Sequence, residues 1–280
     1  MELNFSKYHG CGNDFICIDL RNIDIDPIPF AQNVCRRHFS VGADGVVALF
    51  ESKTADYRML IINADGSIPE MCGNGLRCFM AFLKDSNLIT SDSILVETDA
   101  GVLPTTIVSS SDDQMIVKVQ MGSVGFGHTL PNRDFNFDSS AVNNIVLDTE
   151  QGEFQFTPVS MGNPHAVIFV SNIDEFDVSG VGPVIESHPW FPNKVNVEFV
   201  EVISPTQFKM RVWERGVGET NACGTGACAS VVAGVLSGRG LHHVQVSLKG
   251  GALDIHYLEN SSDVEMLGPV EFVFSSRIKV

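Results

Sequence analysis

A Cys-Gly-x-Gly turn occurs twice in this chain, and each copy runs directly into an apolar segment of helical length. The first copy is Cys72–Gly75, which leads into Leu76–Lys84, and the second is Cys223–Gly226, which leads into Ala227–Ser237. Because a helix that is apolar on every side must be buried, both segments are predicted to be central helices. Backbone N–H groups and the helix dipole at such a start favour the thiolate form of the cysteine. We therefore expect two thiols whose pKa values are lowered from about 8.5 towards neutrality.

The spacing of neighbouring motifs indicates that the chain is a duplication. Asn13 follows a glycine and precedes an apolar strand, and Asn163 does the same about 150 residues later. Asn63 ends a predicted strand nine residues before the first cysteine of the repeat, and Glu214 ends one nine residues before the second. Landmarks that recur at one offset predict two homologous halves. In a duplicated fold, equivalent turns lie on opposite sides of a cleft, and the two cysteines are expected to meet there.

Short strand patterns dominate the rest of the sequence. Besides the two segments after the cysteines, only Phe30–Phe39 has a helical pattern. Runs rich in Val, Ile and Phe and bounded by Gly, Asn, Asp and Pro predict strands. These runs are Asp14–Leu20, Val46–Phe50, Tyr57–Ile62, Ile94–Thr98, Met115–Met121, Phe154–Val159, Ala166–Val170, Val195–Glu201, Phe208–Trp213, Val244–Leu248, Ala252–Tyr257 and Val270–Phe274. A central helix wrapped by strands, made twice, is the simplest fold that accommodates them.

The length of 280 residues is suited to two domains. The strand pattern gives way to an irregular stretch at 122–144, which places the boundary near residue 120. We expect an N-terminal domain of residues 1–120 that carries Cys72, and a C-terminal domain of residues 121–268 that carries Cys223. The last strand, within 269–280, can complete either domain.

Composition excludes several classes of function. The net charge of −16 argues against nucleic acid as a partner, because nucleic-acid binding needs a basic surface. No segment has the roughly 20 consecutive apolar residues of a membrane span, and the start of the chain lacks the apolar core of a signal peptide. An odd number of cysteines, seven, without a Cys-x-x-Cys pair predicts neither a disulfide framework nor a zinc site. These features favour a cytoplasmic protein without a metal and without a membrane partner.

Two opposed thiols can invert a stereocentre. A thiolate on one face of a carbon removes a proton, and a thiol on the other face returns one. An amino-acid α-proton is so weakly acidic that the developing carbanion needs preorganised stabilisation. Backbone N–H groups at the two helix starts can provide it by binding the substrate carboxylate, namely those of Gly73, Asn74, Gly224 and Thr225. Repulsion between like charges keeps one sulfur as thiol while the other is thiolate.

The remaining cysteines are interpreted as small apolar residues. A free cysteine is usually buried and inert. Cys78 and Cys228 lie within the apolar helices, and Cys17 lies in a predicted strand. Cys11 and Cys35 receive the same interpretation, so only the two cysteines of the repeated turn are candidates for chemistry.

Six motifs along the whole chain resemble those of diaminopimelate epimerases. They are Lys7–Phe15, Asn63–Ser67, Met71–Cys78, Gly162–Ala166, Asn196–Phe199 and Glu214–Gly226. The resemblance implies an α/β (α+β) fold of two pseudo-symmetric domains, each a set of mostly antiparallel strands around a central helix, with the active site in the interdomain cleft. It also implies a homodimeric, cofactor-independent isomerase that interconverts LL- and meso-diaminopimelate for lysine and peptidoglycan synthesis.

The resemblance also assigns roles to residues of this sequence. Cys72 and Cys223 take the positions of the catalytic bases, while His165 and Glu214 match residues that tune the thiols. Asn13 matches a residue that contacts the substrate. The distal end of the substrate is held by residues matching Asn63, Asn163, Asn196 and Arg215, and its ammonium group needs an acceptor such as Glu214. On residue type alone, the asparagines could be turn formers, His165 a structural histidine and Glu214-Arg215 an exposed ion pair.

Two departures from the family pattern concern substrate choice and oxidation. Gly45 stands where some members have a glutamine that reaches the substrate, so that contact is absent. Cys11 replaces a leucine in the first motif and adds a thiol near Asn13.

Several alternatives remain open at the level of sequence. A glutamate racemase is kept open by Gly45. A proline racemase or hydroxyproline epimerase also uses two cysteines, but its first motif carries His where this chain has Asn74, and a ring substrate would not need Arg215. PhzF-type isomerases share the fold without the cysteines. A non-catalytic amino-acid binder would not need two thiols, and a thiol redox sensor would show an output that depends on redox state.

Overall fold

The structure, a computed structural model, describes residues 1–69, 71–111, 114–125 and 145–279. The chain divides into two compact units, unit 1 of Met1–Gln120 with Leu267–Val280 and unit 2 of Met121–Met266. The irregular stretch predicted at 122–144 lies outside the described residues from 126 onwards. Residues 122 and 123 belong to a strand.

Sixteen strands and four helices make up the described part of the chain. The helices are α1 (Pro27–Val34), α2 (Gly73–Asp85), α3 (Val178–Glu186) and α4 (Gly224–Leu236). The strands are β1 (Glu2–Gly10), β2 (Asn13–Asp19), β3 (Gly45–Phe50), β4 (Tyr57–Asn63), β5 (Ser93–Thr98), β6 (Gly101–Ser110), β7 (Met115–Ser123), β8 (Ile145–Thr149), β9 (Gly152–Ser160), β10 (Pro164–Phe169), β11 (Asn196–Ser204), β12 (Gln207–Glu214), β13 (Gly218–Glu219), β14 (His243–Leu248), β15 (Gly251–Tyr257) and β16 (Asp263–Lys279).

In unit 1, strands β1 to β7 follow one another in space, and β16 returns to pair antiparallel with β1. The helix α2 contacts β1, β2, β3, β4 and β6. All of its residues from Gly73 to Leu83 are buried. The second helix, α1, packs on β3 and β4 and buries Phe30, Ala31 and Val34. Unit 1 is thus a set of strands around a central helix, with a smaller helix outside.

Unit 2 repeats this plan. Its strands lie in the order β8, β9, β10, β11, β12, β14, β15, and β13 pairs with β12. The helix α4 contacts β9 to β12, β14 and β15, and its residues from Gly224 to Gly234 are buried. The outer helix α3 packs on β11 and β12. The composition of α4, mostly Ala, Gly, Val and Ser, allows this close approach of strands on every side.

The direction of strand pairing shows the duplication independently of sequence. In unit 1, β2 pairs parallel with β3, β3 antiparallel with β4, and β4 parallel with β5. In unit 2, β10 with β11, β11 with β12, and β12 with β14 repeat this alternation. Each parallel pair is joined by a helix, since a parallel connection must cross the sheet. The predicted class, two pseudo-symmetric α+β halves with mostly antiparallel strands around a central helix, is confirmed.

Three local predictions need correction. The helix predicted at Phe30–Phe39 begins at Pro27, after the capping residue Asp26, and ends at Val34. Beyond Val34 the backbone leaves the helix, and His38 has a φ of 71°. The helix α3 is absent from the predicted set, because Gly180, Gly182 and Pro183 interrupt the apolar residues Val178, Val181 and Ile185, which recur at helical spacing. The strands β1, β6, β8 and β13 are also absent from the predicted set.

None of the helices in the described part of the chain is both long and apolar enough to cross a membrane.

Candidate active site

Cys72 caps the N-terminus of the buried helix α2. Its backbone is extended, with φ −145° and ψ 103°, and its carbonyl accepts the first helical hydrogen bond from Leu76 N at 3.0 Å. The sulfur accepts a hydrogen bond from the Gly75 N–H at 3.4 Å. Glycine at 75 leaves room for the helix start against β4, because a Cβ there would lie 2.5 Å from Cδ1 of Ile61. The predicted placement of this thiol at a glycine-rich helix start is confirmed.

A chain of four polar side chains lies beside Cys72. The Cys72 thiol donates to Oδ1 of Asn13 over 4.0 Å, and the same oxygen accepts from Nδ2 of Asn74 at 3.0 Å. Nδ2 of Asn13 donates to Asp44 at 2.8 Å. The buried Arg77 donates to Oδ1 of Asn74 at 2.9 Å and to the Pro269 carbonyl at 3.1 Å. Unit 1 therefore brings Asn13 and Asn74 to the first candidate cysteine.

Gly73 and Asn63 occupy the remaining predicted positions of unit 1. Gly73 is the first residue of α2 and is buried. Asn63 ends β4, and its side chain donates to Oγ of Ser67 at 2.9 Å. This bond closes the turn in which Gly66 has a φ of 90°. Asn63 thus forms a turn in the structure, as the alternative interpretation predicts. The role of Asn63 in binding the substrate stays a prediction.

Cys223 caps α4 in the same way as Cys72 caps α2. Its φ of −129° and ψ of 111° are again extended, and its sulfur accepts from the Gly226 N–H at 3.4 Å. The Thr225 hydroxyl lies 3.5 Å from the sulfur. A Cβ on Gly226 would lie 2.7 Å from Oε1 of Glu198, so the helix start and this carboxyl are in close contact. Gly224 is the first residue of the helix and is buried.

A second chain of polar groups runs from Cys223 into unit 2. Nδ2 of Asn163 donates to the Thr225 hydroxyl at 3.3 Å, and Oδ1 of Asn163 lies 2.9 Å from Nε2 of His165. Nδ1 of His165 lies 2.7 Å from Oε1 of Glu198, and both side chains are completely buried. The other oxygen, Oε2 of Glu198, is buried without a hydrogen-bond partner in the described part of the chain. His165 thus connects with Cys223 through Asn163 and Thr225.

The environment of Cys223 contradicts the predicted lowering of its pKa. Burial, followed by the negative charges of Glu214 and Glu198, raises the pKa of this thiol well above its usual value. The hydrogen bonds from Thr225 and from the Gly226 N–H act in the opposite direction and are outweighed. A helix start favours a thiolate, whereas burial and neighbouring negative charges disfavour it. Cys223 is buried, and the charges of Glu214 and Glu198 act on its thiol.

Glu214, Arg215 and Asn196 meet at the end of β12. Oδ1 of Asn196 accepts from the Arg215 backbone N–H at 2.9 Å, and its Nδ2 donates to the Pro164 carbonyl at 3.0 Å. Glu214 accepts a hydrogen bond from the Thr220 hydroxyl. Its charge is also the larger of the two carboxylate effects on Cys223. The structure therefore places Glu214 close to a candidate base, while Asn196 fixes the backbone that carries Arg215.

The structure also explains why position 45 lacks a side chain. Gly45 begins β3 and is buried. A Cβ there would lie 2.7 Å from the Ile62 carbonyl oxygen and 3.2 Å from the Phe15 ring. Because the nearest group is backbone, any side chain at this position would require the backbone to move.

Three residues of the two polar chains were not among the predicted site residues. Arg77 carries the one charge within the apolar part of α2, which is a signal that sequence reasoning could have used. Glu198 stands between apolar residues on a buried strand, a second such signal. Asp44 lies in a loop before β3, and nothing in its local sequence distinguishes it from other loop aspartates.

The other cysteines lie within the packed interior. Burial raises the pKa of Cys11 and of Cys17, and it raises the pKa of Cys35 to about 12. Burial also raises the pKa of Cys78. Cys228 is buried within α4. Among the described residues, no group of three or more His, Cys, Asp or Glu side chains is arranged to hold a metal ion.

Comparison with known proteins gives one family. A family model described as diaminopimelate epimerase matches residues 5–127 and 157–273. A diaminopimelate epimerase of Halothermothrix orenii is 46% identical over 283 residues, which cover 100% of this chain and 99% of that protein. Another, from Pelotomaculum thermopropionicum, is 45% identical and covers 98% of each chain.

Solved structures show the same fold at low sequence identity. A PhzF-family phenazine biosynthesis protein of Bacillus anthracis superposes with a TM-score of 0.72 at 17% identity, covering 100% of both chains. A probable proline racemase of Agrobacterium radiobacter K84 superposes with a TM-score of 0.71 at 15% identity, covering 99% of this chain and 93% of that one. At these identities the two structures bear on the fold alone.

Proposed function

This chain belongs to the diaminopimelate epimerase family, and from that membership we propose that it interconverts LL-2,6-diaminopimelate and meso-diaminopimelate with Cys72 and Cys223 as its two acid–base groups. It is an isomerase that acts on a precursor of lysine and peptidoglycan. The observation that carries the catalytic assignment is the repeated helix start, because each cysteine caps a buried helix and accepts a hydrogen bond from its glycine N–H.

The proposed reaction is a transfer of two protons. One sulfur, as thiolate, takes the proton from the α-carbon, and the other, as thiol, donates a proton to the opposite face. The first sulfur ends as thiol and the second as thiolate, so the configuration inverts and the number of protons is unchanged. The chemistry therefore requires the two sulfurs on opposite faces of one carbon.

The carbanion that forms between the two transfers needs stabilisation. The first N–H groups of a helix have no partner within it. Those of Gly73 and Asn74 in α2, and of Gly224 and Thr225 in α4, are therefore proposed to bind the α-carboxylate as it gains charge. No cofactor is required in this scheme, since the helix starts take the part that an electron-withdrawing cofactor plays elsewhere.

The distal end of diaminopimelate is proposed to be held by polar side chains. A guanidinium such as that of Arg215 can bind a carboxylate through two parallel hydrogen bonds. The amides of Asn63, Asn163 and Asn196 complete the hydrogen bonds of this end, and Glu214 accepts from the distal ammonium. Asn13 is proposed to contact the substrate next to Cys72. Its Oδ1 already accepts a hydrogen bond from the Cys72 thiol.

His165 and Glu214 are proposed to tune the thiols. The support for Glu214 is its effect on the pKa of Cys223. The support for His165 is the chain of contacts through Asn163 and Thr225.

Exchange of the substrate α-proton with solvent deuterium tests the proposed function directly. The purified and reduced protein is incubated with LL-diaminopimelate in deuterium oxide without pyridoxal phosphate, and proton NMR follows the α-hydrogen. We expect loss of the α-proton signal together with the appearance of the meso isomer. No exchange under these conditions would refute the assignment.

Matched samples separate the alternatives. Glutamate and proline run beside diaminopimelate are expected to exchange no faster than they do without protein. Cys72→Ser and Cys223→Ser are each expected to lower the exchange rate about 10²–10⁴-fold, the usual contribution of an acid–base group. Cys228→Ser, a thiol inside α4, is the control and should retain most of the activity.

A cytoplasmic homodimer is proposed from the family resemblance. Light scattering after size-exclusion chromatography tests the assembly, and a mass of one chain would contradict it. Fractionation of the source cells tests the location.

A further inference from the structure

The chain of side chains beside Cys72 has two ends with opposite hydrogen-bonding character. At one end, the Arg77 guanidinium has only donors, and at the other, the Asp44 carboxylate has only acceptors. Between them lie two amides. Arg77 donates to Asn74 at 2.9 Å, Asn74 donates to Asn13 at 3.0 Å, and Asn13 donates to Asp44 at 2.8 Å.

These two ends fix the orientation of both amides. An amide side chain can exchange its oxygen and nitrogen by a half turn unless its partners forbid it. Turning Asn74 would place its NH₂ group against the Arg77 donors. Turning Asn13 would place its oxygen against the Asp44 carboxylate and its NH₂ group against that of Asn74. All three hydrogen bonds therefore favour the same amide orientation, in which Oδ1 of Asn13 faces Cys72.

An amide oxygen beside a sulfur discriminates between its two protonation states. Oδ1 of Asn13 lies 4.0 Å from Sγ of Cys72, where it accepts from the S–H group. The same oxygen carries partial negative charge, which disfavours a thiolate. We propose that Arg77 and Asp44 are positioning residues that lock this oxygen towards Cys72, so that the resting protein holds Cys72 as the thiol. The role rests on the proposed function, because only a two-base epimerase needs one of its sulfurs as an acid.

Unit 2 repeats the helix start, but the residues equivalent to Asn74 and Arg77 differ. Thr225 stands at the position of Asn74, and Cys228 stands at that of Arg77. The Thr225 hydroxyl accepts from Asn163 at 3.3 Å, so its own hydrogen can be donated to Sγ of Cys223, 3.5 Å away. The sulfur in unit 2 thus has a hydroxyl donor within reach where the sulfur in unit 1 has a fixed acceptor, although burial and the charges of Glu214 and Glu198 outweigh the effect of that donor on the pKa of Cys223.

Thiol alkylation by iodoacetamide tests the proposal without any need for turnover. The rate at Cys72 is read from its own peptide by mass spectrometry, at a pH where little thiolate is present. When either Arg77 or Asp44 is replaced, the other residue still holds the Asn13 amide in its orientation. Arg77→Met alone is therefore expected to leave the rate unchanged or lower it, since a cation is lost, and Asp44→Asn alone is expected to match Asp14→Asn.

The decisive variant removes both ends. In the double variant Arg77→Met with Asp44→Asn, the Asn13 amide is free to turn its NH₂ group towards the sulfur. We expect Cys72 to react about tenfold faster, because a donor to an anion replaces an acceptor. One cation and one anion are lost together, so the net charge is unchanged.

The control is the double variant Arg77→Met with Asp14→Asn. It has the same net charge, and Asp14 shares the cation Arg37 with Asp44. The side chain that binds Nδ2 of Asn13 stays in place, however, so the rate should stay within about twofold of the wild type. Equal rates in the two double variants would overturn the proposal.

A measurement on the unaltered protein covers the case in which a variant fails to fold. Neutron diffraction from deuterated crystals locates the amide deuterons of Asn13. We expect two deuterons on the atom that faces Asp44 and none on the atom that faces Cys72, and the reverse would overturn the proposal. Failure of the diaminopimelate exchange assay would refute the proposed function while leaving the amide orientation as measured, so the two failures are distinguishable.

Discussion

At the scale of the residue, Cys223 shows that a helix start does not by itself make a reactive thiol. The N–H of Gly226 and the hydroxyl of Thr225 both favour the thiolate. Burial and the charges of Glu214 and Glu198 outweigh them. Burial is the largest cause of the raised pKa of Cys223, and the two carboxylates add to it and can be removed one at a time.

Removing either carboxylate should lower the pKa of Cys223. We expect Glu214→Gln to have the larger effect and Glu198→Gln the smaller, following the order of their charge effects on the thiol. Less negative charge favours the thiolate, so Cys223 should be alkylated faster at a given pH. The pH dependence of alkylation, read from the Cys223 peptide, measures the shift. Glu201→Gln on the same strand β11 is the control, and an equal shift in that variant would contradict the explanation.

The sequence predicts which residues form the candidate site better than it predicts the charges and burial around them. Asn13, Asn74, Asn163 and Thr225 were predicted as site residues, and the structure bonds each of them to one of the two cysteines or to its neighbour. The family resemblance predicts that Glu214 tunes a thiol, but the predicted direction for the pKa of Cys223 is wrong, because that pKa depends first on burial and then on which carboxylates the fold brings close to the sulfur. These carboxylates lie on the strands β11 and β12, and packing of the strands against α4 sets their distance to the thiol.

At the scale of the element, the two helix starts have the same backbone and different neighbours. Gly75 faces the end of the Ile61 side chain, where a Cβ would lie 2.5 Å from Cδ1. Gly226 faces Glu198, where a Cβ would lie 2.7 Å from Oε1. The Ile61 terminus can rotate away. The Glu198 oxygen is held by His165 at 2.7 Å, so it can move only by giving up that bond.

Alanine substitutions at these two glycines should therefore differ in their effect. We expect Gly75→Ala to cost about 1–3 kcal/mol of stability through overpacking. Gly226→Ala should cost more, because it also breaks a buried hydrogen bond. Thermal unfolding of both variants, followed by circular dichroism, gives the comparison. A larger loss for Gly75→Ala would show that Glu198 is less firmly held than its contacts indicate.

Elements with a strong pattern were predictable, and those that depend on packing were not. The buried helices α2 and α4 follow from apolar runs after a capping residue, which only Arg77 interrupts with a charge in α2. The helix α3 contains Gly182, whose Cβ would lie 2.6 Å from the Trp213 side chain. Glycine is needed there for contact with β12, and it weakens the helical signal in the sequence. Tertiary packing thus decided this element against its local propensity.

At the scale of the whole molecule, the repeated landmarks in the sequence and the repeated order of parallel and antiparallel strands describe the same duplication. Asn13 and Asn163 begin or precede equivalent strands, and the glycines before them, Gly12 and Gly162, have φ values of 77° and 90°. The left-handed conformation at both turns explains why glycine recurs at that spacing. Backbone requirements of this kind leave a trace in the sequence that survives the divergence of the two halves.

Buried thiols in both halves should make the folded chain sensitive to alkali. The pKa is raised for five of them, and burial is the largest cause in each: Cys11, Cys17, Cys35, Cys78 and Cys223. In the unfolded chain a thiol titrates near pH 8.5. Between that pH and the folded pKa, unfolding releases a proton, so the free energy of unfolding falls as pH rises. The contribution is fully present below pH about 8.5 and is lost above it.

Cys35 allows this loss to be measured for a single thiol. Its pKa is raised to about 12, so its contribution disappears between pH about 8.5 and 12 at up to about 1.4 kcal/mol per pH unit. We expect Cys35→Ala to be less stable than the wild type at neutral pH, since a buried side chain is truncated, yet to lose stability more slowly between pH about 8.5 and 10. Urea unfolding across this range gives both slopes. Parallel curves for the two proteins would show that the Cys35 thiol ionises as readily in the folded chain as in the unfolded one.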